Sequence, residues 1–302
     1  MSSIFEVIVV GGSAAGLSAA LVLGRSLRRV LVIDSGRPCN RQTPHSHGFF
    51  TRDGATPAEL LAAAQAQLGA YPSVARWDGQ VVRAQAQADG FEVELADGRH
   101  VRARRLVLAT GLADQLPAIP GFAECWGISV LHCPYCHGYE VHGQPLGVFG
   151  NGEAGFELAK LILAWSPNLH LFTHGPSTLT PDQARQLAAH RVPVTETPVA
   201  AFEHQAGALQ HVRLADGTAV PLPAVFARVP FVQHSDLAAQ LGCALAANGL
   251  VQVDEFGQTT VPGVFAAGDN SSLLRQVGAA SASGAKAAAW LNRGFIEEAF
   301  VA

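Results

Sequence analysis

Cysteine is scarce in this chain: five in 302 residues, an odd number and too few for a secreted disulfide scaffold. An excess of charge is lacking as well. Twenty basic against 24 acidic side chains leave a formal charge of −4, which gives no electrostatic reason to expect nucleic acid or an anionic membrane as a partner. The densest basic run, RARR (102–105), reads as a solvated strand edge. No apolar run reaches the roughly eighteen residues of a membrane-spanning helix. The opening MSSIFEVIVVGG has neither a basic start nor a small-residue cleavage site, so it reads as a strand rather than a signal peptide. These absences predict a cytoplasmic protein with reduced thiols. A composition of 49% hydrophobic and 15% charged residues excludes disorder, and the length suffices for two domains.

What the chain does have is glycine turns set between apolar runs. An apolar stretch (Val7 to Val10) enters a small-residue turn, then a helical stretch, then a second apolar stretch (Val30 to Ile33) that ends in Asp34 and Ser35. This predicts a βαβ unit. Gly11, Gly12, Ser13, Ala14, Ala15 and Gly16 match G-x-G-x-x-G, with Ser13 at the second glycine. Gly11 permits the tight turn, Gly16 the close packing of helix on strand, and the N–H groups opening the helix face a pyrophosphate. Asp34 stands where a carboxylate accepts hydrogen bonds from an adenosine ribose and repels a 2′-phosphate. A second unit carries Gly150, Gly152, Glu153, Ala154 and Gly155, the same pattern without substitution. Its second strand ends in Thr173-His174-Gly175, with neither an acid that favours NADH nor an arginine that favours NADPH. Downstream of each fingerprint lies L-A-D-G-x-x-V (95–101 and 214–220), an Asp-Gly turn joining two strands. One nucleotide-binding module is thus used twice. Near the C-terminus TTVPGVFAAGD reads as a short strand ending in Gly268-Asp269, an acid placed to accept from a polyol, followed by a small-residue helix.

CPYCHGYE (133–140) holds two of the five cysteines. C-x-x-C-H serves haem attachment, half of a zinc site, or a redox dithiol. Cys133 and Cys136 are three residues apart, close enough to close a small ring if the chain turns at Pro134-Tyr135, and a helix start there lowers the thiolate pKa. The single cysteines Cys39, Cys125 and Cys243 read as buried small hydrophobes.

In this order the pieces resemble the low-molecular-weight thioredoxin reductases, FAD-dependent pyridine nucleotide-disulfide oxidoreductases. The likeness covers nearly the whole chain: the first fingerprint with Asp34, LATG (108–111), the dithiol before a second fingerprint, TTVPGVFAAGD and RQV (275–277). The resemblance implies two Rossmann-like α/β domains, the second inserted in the first. Residues 1–114 and 245–302 would bind FAD, and 115–244 would bind NADPH or NADH and carry the dithiol. The resemblance implies that Gly11 to Gly16, Asp34, Gln42, Ala109, Thr110, Gly111, Asp269, Gln276 and Val277 surround the flavin. It also implies a homodimer, and a thioredoxin-like protein or a small-molecule dithiol or disulfide as substrate. Cys136 would face the flavin and Cys133 would exchange with substrate sulfur. Two departures stand out. His137 replaces the acid that usually follows the second cysteine, and THGPS replaces the arginine-bearing NADPH motif. Both resemble the C-x-x-C-H branch, the gliotoxin- and holomycin-type dithiol oxidases, which use oxygen. The leading expectation is a reductase passing electrons from NADPH or NADH through FAD and the Cys133–Cys136 pair to a substrate disulfide; the alternatives are a dithiol oxidase and a redox-sensing flavoprotein acting through a partner. His137 is the candidate proton carrier. His45 and His47, in TPHSHGFFTRDG, contact cofactor or substrate, or belong to a structural loop.

Overall fold

The protein, as a computed structural model, is described over residues 5–301; the first four residues of the expected N-terminal strand lie outside them. The chain forms two compact units: Met1–Arg41, Gly48–Ala113 and Phe231–Ala302 make the first, Gln42–His47 and Asp114–Pro230 the second. The expected return near 245 therefore falls inside the first unit, and the six residues 42–47 leave it to join the second.

The first unit begins with β1 (Phe5–Val10), α1 (Ala14–Arg25), β2 (Val30–Asp34), α2 (Pro57–Leu68) and β3 (Val74–Asp78). It continues through β4 (Val81–Gln87), β5 (Gly90–Leu95), β6 (His100–Leu108) and the short β7 (Leu112–Asp114). Strands β3, β2, β1 and β6 are parallel neighbours, and β5 and β4 extend the sheet antiparallel from β6. The apolar run in β1 is continuous because both of its faces are covered. Val7 and Val9 enter a core with α1, whereas Ile8 and Val10 enter another with β4 and β5. The basic run 102–105 lies in β6, which is paired on both sides, so it is not a strand edge. Arg102 and Arg104 are exposed and Arg105 is mostly buried, and all three are neutralised: Arg102 pairs with Glu92 at 2.8 Å, and Arg104 and Arg105 both reach Glu298.

The second unit holds α3 (Phe122–Cys125), β8 (Val130–Leu131), α4 (Pro134–His137), β9 (Leu146–Phe149), α5 (Gly152–Ile162) and β10 (Leu169–Phe172). After α6 (Pro181–Ala189) and β11 (Val194–Thr195) come β12 (Val199–Gln205), β13 (Ala208–Leu214), β14 (Ala219–Pro221) and β15 (Ala224–Ala227). Its five-stranded sheet is parallel in the order β11, β10, β9, β15, β8, and β12 to β14 form an antiparallel meander. Phe156, Ala159 and Ile162 of α5 pack on Leu146 and Val148 of β9, as their helical spacing predicts. Both Asp-Gly turns sit where expected, joining β5 to β6 and β13 to β14, with Gly98 at φ +83° and Gly217 at φ +88°.

The chain returns through β16 (Phe231–Gln233), α7 (Leu237–Gln240), β17 (Val264–Ala266) and α8 (Val277–Val301). β17 pairs in parallel with residues 106–108 of β6. The small residues opening α8 let it approach α1 backbone: a Cβ on Gly284 would lie 2.0 Å from the Ala15 carbonyl oxygen. Ser18 Oγ donates to the Ser281 carbonyl at 2.7 Å across the same seam.

Candidate functional site: a glycine cradle and a dithiol turn

In the first unit the predicted flavin residues converge on the β1–α1 turn. Gly11 has φ +108°, and a Cβ there would stand 2.2 Å from the Ala109 carbonyl oxygen, so the chain after β6 presses against the turn. On Gly16 a Cβ would lie 1.8 Å from the Gly11 oxygen. Gly12 N–H donates to Asp34 Oδ1 at 3.0 Å, tying the acid at the end of β2 to the turn, and Ser35 follows it exposed. Ser13 makes no side-chain cap bond, so no hydroxyl covers the opening N–H groups of α1, contributed by Ala14, Ala15 and Gly16. Gly268 follows β17 at φ +89°, and Asp269 Oδ2 accepts from Arg275 Nε at 3.4 Å. Val277 opens α8, and Gln276 directly precedes it.

These residues fit an FAD-sized dinucleotide, and one residue not anticipated from sequence supports that fit. Asn270 is fully buried and donates to the Leu108 carbonyl at 2.8 Å, and its Nδ2 lies 3.5 Å from Thr110 Oγ1, beside Gly111. Its Oδ1 has no hydrogen-bond partner among the described residues. A buried acceptor left without a donor is costly, and a cofactor N–H or hydroxyl would satisfy it. The only sequence hint was its place directly after Gly268-Asp269. Gln42, grouped with the flavin by resemblance, lies in the second unit, where its Nε2 donates to the Trp126 carbonyl at 2.7 Å.

The second fingerprint folds as a strand, turn and helix, but its opening is occupied. Asn151 Oδ1 accepts from Gly152 N–H at 2.8 Å, Thr178 N–H at 2.9 Å and Thr178 Oγ1 at 3.2 Å. Its Nδ2 donates to the Pro176 carbonyl at 2.9 Å. The loop after β10 is thereby held onto the turn, with Thr178 Oγ1 at 2.7 Å from where a Cβ on Gly152 would be. Glu153, opening α5, accepts from Gln183 Nε2, and Ala154 and Gly155 continue the helix. His174 adopts φ +53° and its Nδ1 accepts the Val199 N–H at 2.9 Å, which joins β10 to β12.

The dithiol motif also lies in the second unit. Cys133 is the N-cap of α4 and Cys136 lies within it, their sulfurs 2.7 Å apart and in hydrogen-bond contact. The N–H groups of Cys136 and His137 donate to the Cys133 carbonyl, each at 3.2 Å. Since α4 is a single four-residue turn, its dipole is small, and the acidifying helix start expected from the sequence is correspondingly weak. A Cβ on Gly138 would lie 2.5 Å from the Pro134 carbonyl and 2.6 Å from the Trp165 ring, so the turn is packed tightly from behind. Burial holds the His137 imidazole below its ordinary pKa; the Glu140 carboxylate opposes this, and His47 adds to it. His47 Nε2 lies 3.4 Å from Glu140 Oε1. Burial raises the thiols of Cys125 and Cys243. Cys39, expected to be buried too, is exposed, with its Sγ 3.9 Å from Asp269 Oδ2. Among the described residues no three His, Cys, Asp or Glu side chains gather as a metal site.

Residues 5–284 match the pyridine nucleotide-disulphide oxidoreductase family. The thioredoxin reductase tcpT of Claviceps purpurea is 35% identical, over 94% of this chain and 92% of that protein. The thioredoxin reductase aclD of Aspergillus oryzae is 30% identical, over 94% of each chain. The crystal structure of an oxidoreductase from Agrobacterium tumefaciens superposes with a TM-score of 0.91 at 38% identity, covering 97% of this chain and 99% of that one. With two Rossmann-like folds, a glycine cradle suited to FAD and a C-x-x-C thiol pair, the chain belongs to the flavin-dependent pyridine nucleotide-disulphide oxidoreductase family.

Proposed function

We propose that the protein passes an electron pair between FAD and a substrate disulfide or dithiol by way of Cys133 and Cys136. The observation that carries this reading is the 2.7 Å separation of the two sulfurs on one turn. They can join and part without rearranging the fold. Bound FAD would supply the two-electron acceptor and donor, held by the Gly11–Gly16 turn, Asp34, Asn270 and the Gly268-Asp269 segment. The chain's own residues carry the sulfur chemistry. A substrate thiolate attacks the Cys133 sulfur of the disulfide, and Cys136 leaves as a thiolate. The second substrate thiolate then attacks the substrate sulfur bonded to Cys133, which closes the substrate disulfide and releases Cys133 as a thiolate. Running backwards, the same steps reduce a substrate disulfide. His137 holds the proton that leaves or returns to sulfur. Relatives named thioredoxin reductase support a thioredoxin-like protein or a small dithiol or disulfide as the partner.

A nicotinamide, NADPH or NADH, is the expected reductant in the family, and Thr173-His174-Gly175 offers neither an acid nor an arginine to choose between them. One observation favours a second reading, oxidation of a substrate dithiol with oxygen as final acceptor. Asn151 Oδ1 already sits among the donors that a pyrophosphate oxygen would use. Anaerobic mixing with NADPH and with NADH, followed by flavin absorbance, tests both. The purified protein should be yellow. Rapid bleaching by either nicotinamide establishes the reductase direction. No bleaching, with oxygen uptake on adding a dithiol, establishes the oxidase. A colourless protein that takes up no FAD ends both readings.

A further inference from the structure

Residues 42–47 are a six-residue excursion from the first unit into the second. They are anchored there. Gln42 Nε2 donates to the Trp126 carbonyl at 2.7 Å, and Thr43 Oγ1 would stand 3.1 Å from a Cβ on Gly127. The excursion ends at His47, whose Nε2 meets Glu140 Oε1 at 3.4 Å. Glu140 follows the dithiol turn, three residues beyond His137. We infer that His47 and Glu140 form an imidazole–carboxylate pair that poises His137 for thiol–disulfide exchange, both acting as positioning residues for its proton. The inference rests on the proposed exchange at Cys133 and Cys136 and names two residues that the reaction itself does not require.

The charges facing His137 come from two elements. Glu140 approaches from the chain following α4, and His47 from the 42–47 segment. Cys133 and Cys136 stand on the turn of His137 itself, and His45 lies with its ring centroid 6.3 Å from that of His47. In exchange, His137 accepts the proton of an incoming S–H. The thiolate so formed bonds to the Cys133 sulfur, the Cys133–Cys136 bond breaks, and its electron pair leaves on Cys136. The carboxylate stabilises the imidazolium that this step creates, while a protonated His47 opposes it. The two members of the pair thus act with opposite sign on one proton, and this separates positioning from mere packing.

The experiment follows reduction of the oxidised holoenzyme by dithiothreitol in anaerobic stopped flow from pH 5.5 to 9, with flavin absorbance as readout. E140Q should move the midpoint of the acidic limb down, and H47Q should move it up, each by roughly 0.5–1 pH. E140D, which keeps the charge, should restore the parental profile. Flavin content should be unchanged in all three, and H47N serves in place of H47Q if the latter is unstable. Shifts in the same direction, or none, overturn the inference while leaving the exchange reaction intact. A parent enzyme that dithiothreitol does not reduce defeats the functional reading instead, and the inference falls with it.

Discussion

A histidine beside a thiol pair acts as base, acid or spectator according to its geometry and its surroundings. His137 directly follows Cys136, and its proton affinity is lowered chiefly by burial. Removing a positioned acid or base costs about 10²–10⁴-fold in rate. H137A should therefore slow exchange with a dithiol by about that factor and leave flavin content unchanged. A variant exchanging at the parental rate, with the parental pH profile, makes His137 a spectator. The same burial has a consequence for stability. His170, stacked on Phe172 at 4.2 Å with Nε2 2.7 Å from Thr195 Oγ1, is also held below its ordinary pKa by burial. For both histidines the folded state favours the neutral ring. Their contribution is thus present above the unfolded pKa, about 6.5, and is lost as pH falls toward the depressed folded value. Tm should drop between pH 7.5 and 5.5, and H170Q should flatten part of that drop. An unchanged slope in H170Q would show that other groups carry it.

At the scale of elements, two turns with the same glycine spacing differ in what covers them. In the β1–α1 turn Gly12 N–H is tied to Asp34, and Ser13 caps nothing with its side chain. In the β9–α5 turn Asn151 gathers three donors onto one amide oxygen and straps down the loop at Thr178. N151G should release that loop and expose the helix N-terminus to an anion. Flavin reduction by NADPH or NADH should then rise, by about tenfold for each charge-assisted contact regained, while dithiol exchange stays unchanged. Titration of flavin absorbance with each nicotinamide checks this. An N151G enzyme no more responsive than the parent places the barrier elsewhere.

The whole molecule is built from units of unequal continuity. The second is nearly one stretch of chain, with its own parallel sheet, meander and two apolar cores. The first needs three stretches, because β17 completes β6 and α8 covers α1. Expressed alone, residues 114–230 should fold with a cooperative denaturant transition, whereas 1–113 should not, since its α1 face would expose the side chains that α8 buries. Circular dichroism with urea titration distinguishes these outcomes, and a cooperative transition in 1–113 would contradict this division of the core. In the 114–230 fragment Glu140 has no His47 to meet, so the contact between them is lost.

Local periodicity carried much of this protein into view. The fingerprints, the acid closing β2 and both Asp-Gly turns are legible because strand, turn and helix each constrain residues within a few positions of one another. The cysteines of the dithiol turn are three apart for the same reason. Contacts between distant residues leave no such period. The arginines of 102–105 suggested an edge, yet β6 acquires partners on both sides from strands before and after it. Asn151 gives no sign in sequence that Thr178, 27 residues later, will close the second turn around it. Nor does Asn270 reveal its orphaned oxygen, since only packing removes water from it. His47 and Glu140 are 93 positions apart in the chain, so only the tertiary structure, by sending residues 42–47 into the other unit, brings the imidazole within 3.4 Å of the carboxylate.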